Sequence, residues 1–503
     1  MNGPISRLIQ RVADVKEQEI AAVIWSAAYF FFVLSAYYVL RPIRDEVAVA
    51  ILEGKPGRVD ELSWLFTATL AGILLIHPVF TWLVCRLPRK RFVPLTYHFF
   101  VLHLLIFFLL YKRIDPTHGL WIGRVFYVWV SIFNLFVVSV FWSFMNDIFR
   151  PGQSKRLFGV VAVGGSIGAI SGSTITSTLA GPLGPVNLLL VSALLLELAC
   201  FASKRLERHE AKLASSEAAE EPTKQPLPSA AVEEPAAQSP PPTVPANAVY
   251  PYQAPDSRWS EPPAPANTQE ASGQSKASGE EPIGGNVMDG IANVIRSPYL
   301  LGIFGLMLFF TISSTFIYFQ QTEIIAEVFA NNRAGRTKLL ANRDLVVNVL
   351  ALVTQLFLTG RIVRWFGIGI ALAFLPALGA VGFALLGVWP VLAAVMALDI
   401  VRRAANFAIQ RPAREALYAV LPRADKYKAK NFNDTFAYRV GDQIGAWSYP
   451  FMVWLGLGAS ALSFSMVPLS VAWLFLALWI GRKYLLLHSA PKPTPATATV
   501  LER

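Results

Sequence analysis

Four ionisable residues interrupt the first long apolar stretch of this 503-residue chain. The segment Tyr37-Tyr-Val-Leu-Arg-Pro-Ile-Arg-Asp-Glu46 follows a mostly apolar run from Ile20 and gives way to Val47-Ala-Val-Ala-Ile-Leu52. Charged groups in such surroundings are costly, require partners and mark function by default. On a helix, spacings of three and four place Arg41, Arg44 and Asp45 on one face. An Arg41–Asp45 pair would leave Arg44 for an anion. Glu46 is a candidate for ion pairing or for carrying a proton. The competing reading is a cluster that only anchors a helix end.

A second group closes the fourth apolar stretch, Val140-Phe-Trp-Ser-Phe-Met-Asn-Asp147. Asn146 and Asp147 have the chemistry to coordinate a substrate or cation, with Lys155 and Arg156 adding positive charge at the next helix start. A capping pair beside a basic loop explains them equally well. Further on, Asp399-Ile-Val-Arg-Arg-Ala-Ala-Asn-Phe-Ala-Ile-Gln410 sets Asp399, Arg402, Arg403, Asn406 and Gln410 on or near one helix face. Arg402 and Arg403 are adjacent, so only one of them meets a cavity. Arg439 and Asp442 lie three apart and pair across a turn. Substrate binding is therefore expected of Arg41, Arg44, Asn146, Arg402, Arg403, Asn406 and Arg439. Coupling or ion pairing is expected of Asp45, Glu46, Asp147 and Asp442, and Glu197 is a lone buried carboxylate candidate.

Several chemistries find no residues to carry them. Cys85 and Cys200 are far apart, the six histidines form no H-E-x-x-H pair, and no nucleophile with a base or cofactor loop is present. No catalytic residue, metal or cofactor is expected. Gly164, Gly168 and Gly172, like Gly441 and Gly445, repeat every four residues as a helix-packing stripe.

The elements that must position these groups follow from composition. The chain is 54% hydrophobic and only 15% charged, with a mean hydropathy of +0.46, which places it in a membrane. Twenty-residue apolar windows fall at 20–52, 62–85, 92–111, 119–147, 157–180 and 185–203, then at 298–320, 344–360, 366–388, 390–410, 434–457 and 459–481. The fold class expected is an all-α polytopic membrane protein of twelve transmembrane helices in two six-helix parallel repeats. Its parts are an N-terminal half at 1–203, a linker at 204–286, a C-terminal half at 287–486 and a tail at 487–503. Fourteen of the 34 prolines lie between 221 and 282 among Ala, Ser, Gln and Glu, a composition that predicts a disordered linker. The net charge of +11 reflects topology and not nucleic-acid binding. With the N-terminus inside, 30 of the 44 basic residues fall in inner segments, so both termini and the linker are expected in the cytoplasm.

The halves match at a nearly fixed offset. Arg86-x-x-Arg89 recurs as Arg361-x-x-Arg364, Gly164-Gly-Ser-Ile-Gly-Ala169 as Gly441-Asp-Gln-Ile-Gly-Ala446, and Glu46 falls opposite Glu323. Two such halves resemble the plan of the major facilitator carriers, with substrate held between repeats near the midplane. More specifically, Leu40-Arg-Pro-Ile-Arg-Asp45, Phe141-Trp-Ser-Phe-Met-Asn146 with Ser154-Lys-Arg-Leu157, and Pro412-Ala-Arg-Glu-Ala-Leu-Tyr418 with Lys426-Tyr-Lys-Ala-Lys430 and Asp434 are similar to motifs of the nucleotide carriers of plastids and intracellular bacteria. That resemblance implies ATP/ADP exchange, with Arg44 at the position of the family's substrate-contacting lysine. Asp442 stands where that family tends to carry a basic residue, which removes one attractive partner for a polyphosphate.

The sequence thus predicts a multi-pass secondary transporter of the alternating-access type in a bacterial inner membrane. Its expected substrate is a small anion, a nucleotide such as ATP or ADP or another phosphorylated metabolite. Its partners are that solute and the lipid bilayer, with no nucleic acid and a monomeric state assumed. Two alternatives stand beside it: proton-coupled transport of a small organic solute, and a non-transporting membrane protein that recruits a partner through its linker.

Overall fold

The computed structural model describes residues 15, 19–54, 58–113, 116–149, 151–220, 294–421, 430 and 432–489. Among these residues there is no strand. The first half comprises α1 (Ile20–Leu52), α2 (Asp60–Arg86), α3 (Arg89–Arg113), α4 (Pro116–Ile148), α5 (Pro151–Leu179) and α6 (Leu188–Glu220). The second comprises α7 (Pro298–Val328), α8 (Arg333–Phe357), α9 (Thr359–Val388), α10 (Leu392–Ala405), α11 (Tyr438–Trp454) and α12 (Ala459–Ser489). A π turn at Asn406–Gln410 carries α10 on into a short helix at Arg411–Leu417, and a second π turn at Asn433–Ala437 leads into α11. Nine of the twelve helices carry an apolar window long enough to cross a bilayer. The other three are α6, whose window includes Glu197, Lys204 and Arg205, and α10 and α11, which the π turns shorten. Large apolar side chains such as Leu75, Val79, Leu102, Leu109, Val381 and Val388 stay exposed on the perimeter, the surface that lipid covers. The side of the bundle holding the start of α1 and the end of α12 is called here the near side, and the opposite one the far side.

Small residues set the two closest helix pairs. On α5, a Cβ at Gly164, Gly168 or Gly172 would strike the backbone carbonyls of Ala27, Phe31 and Ser35 on α1. Ser35 Oγ donates to the Gly168 carbonyl at 2.9 Å across the same seam. The second half repeats this contact. A Cβ at Gly441 would lie 2.7 Å from Thr311 Cβ, and one at Gly445 2.8 Å from Thr315 Cβ, so α11 packs on α7 as α5 packs on α1. The glycine stripes are therefore the repeat's structural basis.

Three boundaries differ from the sequence expectation. Residues 204–220 were expected in the linker, yet α6 continues through them to Glu220. The run Lys204-Arg-Leu-Glu-Arg-His-Glu-Ala-Lys-Leu-Ala214 is rich in helix formers and meets no proline before Pro222. The remainder of the expected linker, the tail beyond 489 and the basic run from Lys426 to Lys428 lie outside the described residues. In the second half α8 begins at Arg333, eleven residues before the apolar window, because Asn332 caps it by accepting from Gly335 N at 2.8 Å. Arg361 and Arg364 both sit inside α9, whereas Arg86 ends α2 and Arg89 opens α3. The second half makes its bend instead at Gly367, whose φ of 75° breaks the helix.

Leucine at Gly168 should therefore abolish the α1–α5 approach, since backbone cannot yield as a side chain would. The expected result is loss of monodisperse protein on size exclusion, while Gly159→Ala, which meets nothing within 4 Å, should leave the melting temperature unchanged or slightly raised.

Candidate functional site

Asp45 and Glu46 are almost fully buried on α1, and each finds its cation in the opposite half. Asp45 Oδ2 accepts from Arg343 Nη2 of α8 at 2.7 Å. Arg41 lies 3.5 Å from Asp344 of α8, so the two helices exchange charges reciprocally. One level toward the far side, Glu46 Oε2 takes Arg333 Nε at 2.8 Å and Oε1 takes Arg336 Nη2 at 3.3 Å. Arg336 Nη1 also reaches Glu53 at 2.8 Å. Asn331 N donates to the same carboxylate, which ties the α7–α8 hairpin to the end of α1. Glu53 lies beyond the end of α1; partial desolvation opposes its ionisation, but the Asn331 and Arg336 bonds hold its carboxyl below the usual range. α10 adds Arg403, 3.0 Å from Asp344 and 3.5 Å from Asp399. Asp344 is thus wholly buried between Arg41, Arg343 and Arg403.

Other contacts close the far side further. Thr67 donates to Gln443 at 3.0 Å and accepts from Trp447 Nε1 at 3.1 Å, while Trp64 meets the Trp447 ring edge-on. Ser63 bonds the Ala446 carbonyl, and Ser177 bonds Asn342. Among the described residues, these polar ties between the halves all lie at the level of Arg41 or beyond it toward the far side.

Beneath the ladder is a central cavity in two lobes of about 270 and 220 Å³. Arg44, Phe66, Tyr318 and Asp442 line both. The larger lobe adds Arg41, Asp45, Arg343, Asp399, Arg403 and Arg411, and the smaller adds Arg439. Six arginines and three aspartates therefore face this space. Counting Asp344 directly behind them, guanidinium charges outnumber carboxylates by two. Tyr127 and Tyr318, hydrogen-bonded at 3.3 Å, supply aromatic walls with Phe66. A cleft of about 480 Å³ shares Phe407 and Arg411 with the larger lobe and extends past Gln355 to Glu415, toward the near side.

Several site expectations need correction. Arg44 is not left free: its Nε and Nη2 both donate to Asp45 Oδ1, at 3.1 and 2.7 Å. Arg41 accordingly pairs with Asp344 instead of Asp45. The cause is α8, whose charges compete for both groups and cannot be read from spacing within α1. Arg402 turns away from the cavity, fully buried, to donate to Ser313 at 2.6 Å, Ser314 at 2.9 Å and the Phe310 carbonyl at 2.7 Å. Asn146 and Asp147 stand exposed at the end of α4. That is twelve residues past Asn134, the α4 residue lining the smaller lobe, or roughly 18 Å along the helix. Glu197 stands half exposed, 3.5 Å from His98. Lys155 has no described side chain, and Arg156 pairs with Glu19 at 3.0 Å.

Other expectations meet at one place. Arg44, Arg403, Asn406, Arg439 and Asp442 all face the cavity, and Arg439 pairs with Asp442 at 3.6 Å. Asn406 opens the π turn of α10, and its buried Oδ1 has no hydrogen-bond partner. Such turns recur at functional sites because they re-aim side chains. Arg333, Arg336, Arg343 and Asp344 escaped sequence reasoning because the hydropathy window begins only at the end of the charged start of α8, and Arg411 because it was read with the connection that follows α10. The signal available was Glu46, a buried acid that the Arg41–Asp45 pairing leaves without a cation and that requires one from elsewhere in the chain.

The profile of the Major Facilitator Superfamily matches residues 20–409. The chain belongs to the Major Facilitator Superfamily. It is thus a multi-pass membrane protein of a transporter superfamily. No curated protein sequence matches it. Among solved structures it is similar to a bacterial homologue of the iron transporter ferroportin in an inward-facing state, at 10% identity and a TM-score of 0.57, covering 92% of this chain and 98% of that one. It is also similar to a POT family transporter in complex with a thioalcohol-conjugated peptide, at 9% identity and a TM-score of 0.53, covering 92% and 96%. At such identities the likeness is one of fold.

Asp344→Asn leaves three arginines facing a neutral group and should lower stability by about 3 kcal/mol or more. Adding Arg403→Gln should recover part of that loss. A double-mutant cycle on thermal melting reads the coupling; additive losses would show that Asp344 and Arg403 do not interact.

Proposed function

We propose that this transporter carries a small organic anion with a planar or phosphorylated part, a nucleotide such as ATP or ADP being the leading candidate. One observation carries the reading: the central cavity holds more guanidinium groups than carboxylates. Such an excess favours an anion, and arginine matches phosphate and carboxylate by paired hydrogen bonds. Arg44, Arg403, Arg411 and Arg439 are the arginines placed to meet it. Tyr127, Tyr318 and Phe66 offer faces for an aromatic ring. Asn406 offers a polar group that has no other use among the described residues. The similarity of Leu40-Arg-Pro-Ile-Arg-Asp45 to nucleotide-carrier motifs supports a phosphorylated ligand.

Alternating access is the mode of transport proposed. The far side is tied by the α1–α8 ladder, while the cleft beside Phe407 and Arg411 leads to the near side. With the basic residues counted as above, the near side is the cytoplasm of a bacterial cell and holds both termini. The protein is taken to work as a monomer, because both halves of the cavity come from one chain. Asp442 favours a second reading, in which transport is coupled to protons: it faces both lobes and has Arg439 as its cation at 3.6 Å.

Uptake of labelled ATP and ADP into liposomes containing the purified protein tests the first reading. Uptake only into vesicles preloaded with unlabelled nucleotide is expected. Arg44→Ala and Arg439→Ala should each weaken apparent affinity about 10- to 100-fold, the loss of one charge-assisted contact of about 1.5–3 kcal/mol. Asn146→Ala, far from the cavity, should change nothing. Uptake driven by a pH gradient into empty vesicles, and lost in Asp442→Asn, would establish the proton-coupled reading instead.

A further inference from the structure

A second cavity, of about 750 Å³, lies between α2 and α4 toward the far side and takes no part in the central site. Its walls come from helical stripes, Leu65 and Ala68 on α2 facing Val125, Val128 and Ile132 on α4. Trp121, at 67% exposure, and Val125, at 59%, place its open side on the bundle perimeter, where the bilayer is. At its deep end the two helices close up, because Gly72 leaves room for Ile132: a Cβ there would lie 2.9 Å from Ile132 Cδ1. The result is an apolar slot, about 16 Å long over the eleven residues from Trp121 to Ile132, blind toward the midplane and open toward the far surface.

The charges sit at the open end. Glu61 receives Arg124 Nη2 at 2.8 Å and Arg58 Nη2 at 3.6 Å, so within this ion-pair cluster two guanidinium groups share one carboxylate and cations outnumber it by one. Arg124 also stacks over the Trp121 ring at 4.5 Å, beside Trp64. Tryptophans at this level mark a membrane–water interface, where their rings sit among headgroups. An apolar slot reached from the bilayer, with a surplus cation and indole rings at its mouth, matches the two parts of one lipid molecule.

We propose that this groove binds an anionic phospholipid, one acyl chain lying along Ala68, Val125 and Val128 and the phosphate resting on Arg58 and Arg124. A zwitterionic lipid carries its own cation to the same place and so gains less from the surplus charge. One basic residue near a membrane surface is worth enough to favour the anionic lipid about five-fold.

Native mass spectrometry of the full-length protein in micelles, titrated with phosphatidylglycerol or phosphatidylcholine of identical chains, tests this. One phosphatidylglycerol per protein is expected, retained about five times better than phosphatidylcholine. Ala68→Phe, which fills the slot from α2, should remove the adduct, and Val125→Trp does the same from α4 should the first variant fold poorly. Arg58→Ala should keep the slot but bring the two lipids to parity. Equal retention of both lipids by the unaltered protein, adducts that persist in the filled variants, or a mass showing two copies of the chain joined through this face would each overturn the proposal.

Discussion

Asp45 and Asp344 are buried carboxylates on different halves of the chain, and each draws a guanidinium from the other half besides those of its own. Arg343 answers Asp45 and Arg41 answers Asp344, so the arrangement holds only while α1 and α8 lie side by side. Taking charges out of water is costly, and removing either partner alone leaves an uncompensated ion. The rest of the centre follows from that constraint. Arg44 is drawn onto the second face of Asp45, Arg403 onto Asp344 from α10, and the far-side acids Glu46 and Glu53 onto Arg333 and Arg336. Charge exchange thus does between the halves what glycine packing does within each of them.

These two kinds of contact differ in how they can change. The α1–α5 seam is backbone against glycine and the α7–α11 seam threonine against glycine, both held by close fit over several turns. The α1–α8 ladder is made of ions, each of which water or an anionic solute can satisfy if the helices part. On the proposed reading, each six-helix half moves as a unit and the ladder is the seam that opens. The surplus arginines beside it give an anion a reason to sit where the halves meet.

The repeat is carried by packing more than by chemistry. Gly441 and Gly445 reproduce the close approach made by Gly164 and Gly168, yet the polar residues on the equivalent helices diverge. Glu46 is bound by two arginines, whereas Glu323 at the matching position accepts a hydrogen bond from Tyr449 at 2.6 Å. Asp442 has no counterpart in the first stripe, where Gly165 packs on Phe30. One half supplies acids to the interface and the other supplies most of the arginines that answer them, which makes the two halves complementary rather than interchangeable.

Local rules were enough to find twelve helices, their two-fold grouping, the glycine seams and most of the charged residues that face the cavity. Each of those features is written in composition or in spacing along a single helix: hydropathy over a window, small residues every four, charges inside an apolar run. The pairing of the charges was not legible in the same way. Arg41 with Asp45 is the natural pair on one helix, but Asp344 lies about three hundred residues away in sequence and closer in space. The start of α8 was hidden for the same reason, since a segment carrying Arg336, Arg343 and Asp344 becomes tolerable in the membrane only when its partners on α1 are counted. What the sequence determined was which residues are apolar, small or charged along each helix. Only the tertiary structure decided which charge meets which, because a salt bridge between two halves depends on the distance between helices and not on the spacing within one.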